Sequence, residues 1–235
     1  MPKLGVNIDH AASLRQLRCG IEPEIISCAI LCEAAGCDSI VCHLREDQRH
    51  IKENDVYLLK KVVKTRLNLE MAASKKIVEI ACVLKPHQAT LVPEKRQEVT
   101  TEGGLDVIRN SKKVGDAVLS LKGSGIEVSL FIDPQRRQIE AARKIAGMIE
   151  LHTGRYANAG LENRNKYLDE LIDAVHYAKD LGLVVNAGHG LDYDNVEPVA
   201  RIEGIEELNI GYSIICQAVF TGLGRAVKRM KELIS

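Results

Sequence analysis

The sequence predicts an α/β fold, a (β/α)₈ TIM barrel with extra helices, built as a single catalytic domain over residues 1–235, and three observations predict it. Eight short apolar or half-apolar runs recur along the chain, and amphipathic segments of helical period separate them. The length is that of one large barrel. A doubly wound open sheet, the other candidate, would advertise a glycine-rich phosphate turn after its first strand. Here NIDHAASLRQ stands in that place, with no GxGxxG.

The first run, LGVNID (4–9), opens the chain, and PEIISCAILCEAAG (23–36) follows with helical spacing and a terminal glycine. SIVCHL (39–44), DVYLLKKVVKT (55–65), RLNLEM (66–71) and SKKIVEIACVLK (74–85) repeat the strand–helix rhythm twice. QATLVP (88–93) is a fourth strand stopped by proline. LDVIRNSKKVGDAVLSLKGSG (105–125) leads to EVSLFI (127–132), and Asp133-Pro134 supplies an N-cap with proline in the first turn of 134–147. MIELHT (148–153), a helix over 165–182, VVNAGH (184–189), a helix over 193–204, and ELNIGY (207–212) complete the series. Gly36, Gly125, Gly147, Gly182 and Gly204 close the helices.

One stretch breaks the rhythm. LVPEKRQEVTTEGG (91–104) starts as a buried strand and becomes a charged, Thr-rich loop with neither period. A loop this long is either a solvated excursion or functional. Its charges suit a lid that closes on an anion.

Lysine plus arginine number 32, as do aspartate plus glutamate, so no basic field exists to hold a nucleic acid. Aromatics are 3% and tryptophan is absent, which removes base-stacking platforms as well. No apolar run reaches bilayer length and the N-terminus is too polar for a signal peptide, so the expected setting is the cytoplasm. Seven cysteines without a CxxC pair read as buried, inert thiols in a reducing compartment.

Chemistry is expected at the C-terminal ends of the strands. Side chains two apart share a face of a strand, and polar or small pairs recur late in the runs: Asn7 and Asp9, Asn68 and Glu70, Glu150 and His152, Asn186 and Gly188, Asn209 and Gly211. Buried polar groups need partners, so a set of five calls for a function. His43 precedes a turn with Arg45, Arg49 and His50, which can clamp a phosphate or simply be a charged surface turn. Glu70 enters an apolar barrel, where desolvation suits a general acid or base; a structural pairing with Arg66 is the alternative. His189 lies in NAGHG and Tyr212 in NIGYS, two glycine turns of the kind that bind phosphate, and Arg18 can reach the same mouth or remain a solvated helix charge. No lysine ends a strand, which disfavours an enzyme-bound Schiff base. No HxH follows the first strand, so a metallohydrolase is disfavoured, although His43, Glu70 and His189 offer donors for a cation.

GVNIDH, VCHLREDQRHI, LNLEMA, LVPEKRQEVTTEGGLDV, SLFID, IELHTG, VNAGHGL and ELNIGYSI together resemble the pyridoxine 5′-phosphate synthase family over nearly the whole chain. The resemblance implies a (β/α)₈ barrel that condenses 3-amino-2-oxopropyl phosphate with 1-deoxy-D-xylulose 5-phosphate, releasing inorganic phosphate and water. It implies no metal and no organic cofactor, and a homo-octamer built from dimers. Carried over by motif, His43 and Glu70 accept protons, His189 donates one, and Glu150 steadies a charged transition state. Asn7, Arg18, Gly190, Gly211 and Tyr212 would meet the amino-ketone phosphate. Asp9, His10, Arg45, His50 and Thr100 would meet the pentulose phosphate, with the 91–104 loop as the lid. Tyr212 stands where many members carry histidine, a change that a backbone N–H contact tolerates. Two other readings of the same residues stay open: a phosphosugar epimerase or isomerase working on one substrate, and a non-catalytic phosphometabolite-binding barrel.

Overall fold

The computed structural model describes residues 1–94 and 103–235. Eight parallel strands close into a barrel in sequence order. They are β1 (Lys3–Asn7), β2 (Ser39–Leu44), β3 (Arg66–Met71), β4 (Gln88–Leu91), β5 (Glu127–Ile132), β6 (Met148–His152), β7 (Val184–Gly188) and β8 (Ile205–Ile210). Helices α1 (Asp9–Leu17) and α2 (Ile25–Ala34) follow β1, while α3 (Glu53–Val62), α4 (Lys75–Leu84), α5 (Ser111–Gly123) and α6 (Arg136–Arg143) follow the next four strands. A single-turn α7 (Gly154–Ala157) and the long α8 (Leu161–Asp180) lie after β6, α9 (Val196–Ala200) after β7, and α10 (Tyr212–Thr221) with α11 (Leu223–Leu233) after β8. All eight predicted strands are present, as are extra helices.

Period-two alternation sorts each strand into two faces. Leu4, Val6, Ile40, Cys42, Leu67, Leu69, Ala89, Leu130, Ile149, Leu151, Val185 and Leu208 are fully buried or nearly so and join the apolar cluster shared with the helices. Each such Leu or Ile stabilises the fold by roughly 1.5–3 kcal/mol. The alternate residues face the barrel axis, and many are polar: Ser39, Asn68, Gln88, Thr90, Ser129, Glu150, Asn186, Glu207 and Asn209 are all buried. Thr90 Oγ1 donates to Asn68 Oδ1 at 2.9 Å, and Gln88 Nε2 donates to Thr90 Oγ1 at 3.2 Å. This polar filling reaches further toward the N-terminal ends of the strands than a rim of paired residues would. Gly5 makes room for it, since a Cβ there would lie 2.1 Å from Asn209 Oδ1 and 2.8 Å from Ser39 Oγ.

Four local expectations need correction. Asp9 is not on a strand; it is the first residue of α1, two residues beyond the end of β1. The segment predicted as helix over 105–125 becomes helical only at Ser111, because the Asp106 side chain accepts from Arg109 N and its carbonyl accepts from Asn110 N in a separate turn. Asp133 does not cap α6, whose N-cap is Gln135; its carboxylate turns instead to Gly104 N and His152. Cys19 and Cys216 are exposed, whereas Cys28, Cys32, Cys37 and Cys42 are buried with thiols that burial pushes up. Gly36, Gly125, Gly182 and Gly204 do adopt the positive φ expected after a helix. Among the described residues no helix is long and apolar enough to cross a membrane.

Candidate active site

The strand ends bring the predicted polar residues to one mouth. At its centre, Asn7 Nδ2 donates to Asp9 Oδ2 at 3.1 Å and to Glu70 Oε2 at 3.3 Å. Asn7 Oδ1 accepts from Asp9 N, and Asp9 Oδ1 accepts from His43 N at 2.8 Å. The amide of Asn7 thus ties the end of β1 to β3 and to the first residue of α1, and the Asp9 carboxylate ties α1 to β2. Glu70 is not the partner of Arg66, which sits at the opposite end of β3 and pairs with Glu127.

Glu150 on β6 accepts from Asn209 Nδ2 at 2.7 Å and is buried. Burial pushes Glu150 up to about 8. Burial, followed by the negative charge of Glu150 and Asp9, drives Glu70 well above the usual carboxylate range, and the Asn7 hydrogen bond only partly offsets this. Burial thus biases both carboxyls toward the protonated form in the free barrel. His189 is shifted the other way: burial lowers it to about 4, with His152 and His10 adding repulsion. His10 and His50 are also lowered, chiefly by burial.

His43 Nε2 lies 2.8 Å from Glu94 Oε1, and Glu94 Oε2 accepts from Glu46 N. Burial raises the Glu94 carboxyl, but these contacts outweigh it and hold the group below its usual range. Glu94, just past β4, is a site neighbour that the composition of the loop alone did not single out. His50 Nδ1 accepts from Ile51 N, and its ring meets His43 edge-on with centroids 6.1 Å apart. Arg45 is buried, with Asp47 3.6 Å away.

Arg18 is exposed at the C-terminal end of α1, and among the described residues no hydrogen bond or ion pair joins it to this cluster. The arginine of that helix turned to the mouth loops is Arg15. It is buried, makes two hydrogen bonds to Asp55 at 2.7 and 2.8 Å, and donates to His50 O at 3.0 Å. Its position one turn before Arg18, facing the acidic first turn of α3, was the available signal. Thr100 and the central part of the expected lid fall within 95–102, outside the described residues.

The two glycine turns pack closely against neighbouring segments of the mouth. Gly190 has φ +78, and a Cβ on Gly211 would lie 2.8 Å from both Asn7 Cβ and Asn7 O. Gly211 is the N-cap of α10, which has no side-chain cap, so the first N–H groups of that helix are available to an anion. Tyr212 begins α10 with an exposed side chain, its ring edge-on to His10 at 5.2 Å. Asp9, His43 and Glu70 bring ligand atoms within 4.8 Å of one another, a donor set that suits a divalent cation. It includes Asp9 where the sequence suggested His189.

Comparison with known proteins gives the family and the fold. A family model described as "Pyridoxal phosphate biosynthesis protein PdxJ" matches residues 4–235. A pyridoxine 5′-phosphate synthase of Prochlorococcus marinus (strain AS9601) is 54% identical over 236 residues, covering 100% of this chain and 99% of the relative. The corresponding protein of Thermosynechococcus vestitus is 55% identical over 237 residues, covering 100% of both. Among solved structures, KGPDC from Streptococcus mutans superposes with a TM-score of 0.68 at 13% identity, covering 100% of this chain and 97% of that one, which shows the shared barrel fold.

Proposed function

Because the chain belongs to the PdxJ family of pyridoxal phosphate biosynthesis proteins, we propose roles for its mouth residues in the pyridoxine 5′-phosphate synthase reaction. That reaction is the activity of this enzyme. Its substrates are 3-amino-2-oxopropyl phosphate and 1-deoxy-D-xylulose 5-phosphate, joined through an imine between them, then dehydrated and closed into the ring with loss of phosphate and water. The observation that carries the site assignment is the Asn7-bridged pair of Glu70 and Asp9, beside His43, with Glu150 facing them.

Glu70 and His43 accept protons, His189 donates one to a departing oxygen, and Glu150 offsets positive charge on the imine. The uncapped start of α10, with Asn7, Gly190, Gly211, Tyr212 and Arg18, takes the amino-ketone phosphate. Asp9, His10, Arg45, His50 and Thr100 take the pentulose phosphate. Substrate charge then resets the free barrel. An ammonium arriving between Glu70 and Glu150 lowers their pKa values, and a phosphate near His189 raises its own. Each group reaches its working state only with substrate bound. We also propose a cytoplasmic setting, on the free thiols, and a homo-octamer built from dimers, on the family resemblance.

The test is phosphate release by the wild type and by Glu70→Gln. Release that requires both substrates, with kcat lowered roughly 10²–10⁴-fold in the variant at a similar KM, supports the assignment. A folded variant that keeps wild-type kcat removes Glu70 from the chemistry.

A further inference from the structure

The structure contains a further imidazole at the mouth that none of these roles uses. His152 ends β6, and Nδ1 lies 3.1 Å from Asp133 Oδ1. The hydrogen bond to His152 holds the Asp133 carboxyl below its usual range. With Nδ1 donating to that carboxylate, the neutral form of the ring carries its lone pair on Nε2. Nε2 is buried and has no hydrogen-bond partner among the described residues. A histidine that served only as packing would leave this nitrogen desolvated for nothing, at a cost of about 1–3 kcal/mol.

Three further features aim the same segment at His189. The two rings meet edge-on with centroids 4.9 Å apart, and Phe131 packs against both. His189 has φ +84, an unusual backbone conformation for a residue with a side chain. Thr153, next to His152, holds that conformation: its Oγ1 donates to Gly188 O at 2.7 Å and His189 O at 2.5 Å, and its N–H donates to Gly188 O. The following residue has no side chain, and a Cβ on Gly154 would lie 2.5 Å from His152 Nε2 and 3.3 Å from His189 Cδ2. The sequence His152-Thr153-Gly154 therefore orients one ring, pins the backbone of the other, and leaves room for both.

We propose that His152, anchored by Asp133, is a positioning residue for His189: its ring packs edge-on against the donor imidazole, and its unpartnered Nε2 is the acceptor that imidazole meets when substrate is bound. Asp133 also accepts from Gly104 N at the end of the 91–104 segment, so the same carboxylate joins that segment to the histidine pair. The other titratable groups around the pair are His10 on α1, with Tyr212 on its ring, and Arg155 on α7 near Asp133. The inference rests on His189 being the proton donor.

The experiment compares wild type, His152→Phe, His152→Gln and Asp133→Asn. Phe keeps a ring without nitrogen, Gln restores an acceptor near Nε2, and Asn keeps the volume and an oxygen for Gly104 N without the charge. In His152→Phe, kcat falls roughly a hundredfold, the cost of a misplaced reacting group, while both KM values stay within about twofold and the melting temperature is retained. His152→Gln recovers a large part of the loss, and Asp133→Asn falls between wild type and Phe. Equal loss of kcat and melting temperature in Phe and Gln, or wild-type kcat in Phe, overturns the proposal. Imidazole ¹⁵N shifts of His189, measured without substrate, separate this proposal from the assignment of the reaction. A tautomer or titration of His189 that is identical in wild type, His152→Phe and Asp133→Asn overturns it whether or not the enzyme turns over.

Discussion

Replacing Glu150 with glutamine will flatten the dependence of stability on pH. Glutamine has the shape of the protonated carboxyl, keeps an oxygen to accept from Asn209 Nδ2, and cannot ionise. Burial raises the folded-state carboxyl from 4.5 to about 8, while in the unfolded chain it titrates near 4.3. Between those values the folded protein holds a proton that the unfolded chain has released, so stability falls as pH rises. The contribution is fully present below pH 4 and is lost by about pH 8. At about 1.4 kcal/mol per pH unit the loss is capped near 5 kcal/mol, and water entering the barrel reduces it. Glu70 and Glu207 are also raised, mainly by burial, so both proteins keep a slope and the difference between them is the quantity to read. Urea midpoints followed by far-ultraviolet circular dichroism at pH 5, 6, 7, 8 and 9 measure it. The variant should lie within about 1 kcal/mol of wild type near pH 5 and exceed it by several kcal/mol near pH 9. Parallel curves would refute the reasoning, because they would mean that Glu150 is ionised throughout.

Two other substitutions test separate parts of the site. Arg45→Ala should raise KM for 1-deoxy-D-xylulose 5-phosphate roughly tenfold to a hundredfold, the value of one charge-assisted hydrogen bond of about 1.5–3 kcal/mol; steady-state kinetics with an unchanged KM would remove Arg45 from the phosphate clamp. Gly5→Ala should destabilise the barrel by about 1–3 kcal/mol through overpacking, because the new methyl would meet Asn209 Oδ1 and Ser39 Oγ. A wild-type melting temperature for that variant would show that the axis is loosely filled at this layer.

What the sequence disclosed and what it withheld follow from the range of the forces involved. Strand alternation is a local property, so RLNLEM announced Asn68 and Glu70 on one face and Leu67 and Leu69 on the other, and the barrel keeps that assignment. Glycine turns are equally local, and NAGHG and NIGYS stand where the mouth needs close backbone approach. Several of the contacts that were not legible are long-range. Asp133 reads as a helix cap because Pro134 follows it, and only closure of the barrel puts His152 within reach, 19 residues away. Arg15 and Arg18 are equivalent by composition, yet Asp55 lies 40 residues from Arg15 and turns it inward, while Arg18 points to solvent. The barrel axis is the clearest case. Ser39, Ser129 and Asn209 each sit on an alternating strand whose outward face is apolar. Alternation alone would place such residues on a solvent-facing side, as in a half-exposed sheet. Closing eight of these faces on one another buries them instead. That enclosure carries Glu70, Glu150 and His189 away from their ordinary proton affinities, so the chemistry of this mouth is a property of the closed barrel, which no single strand possesses.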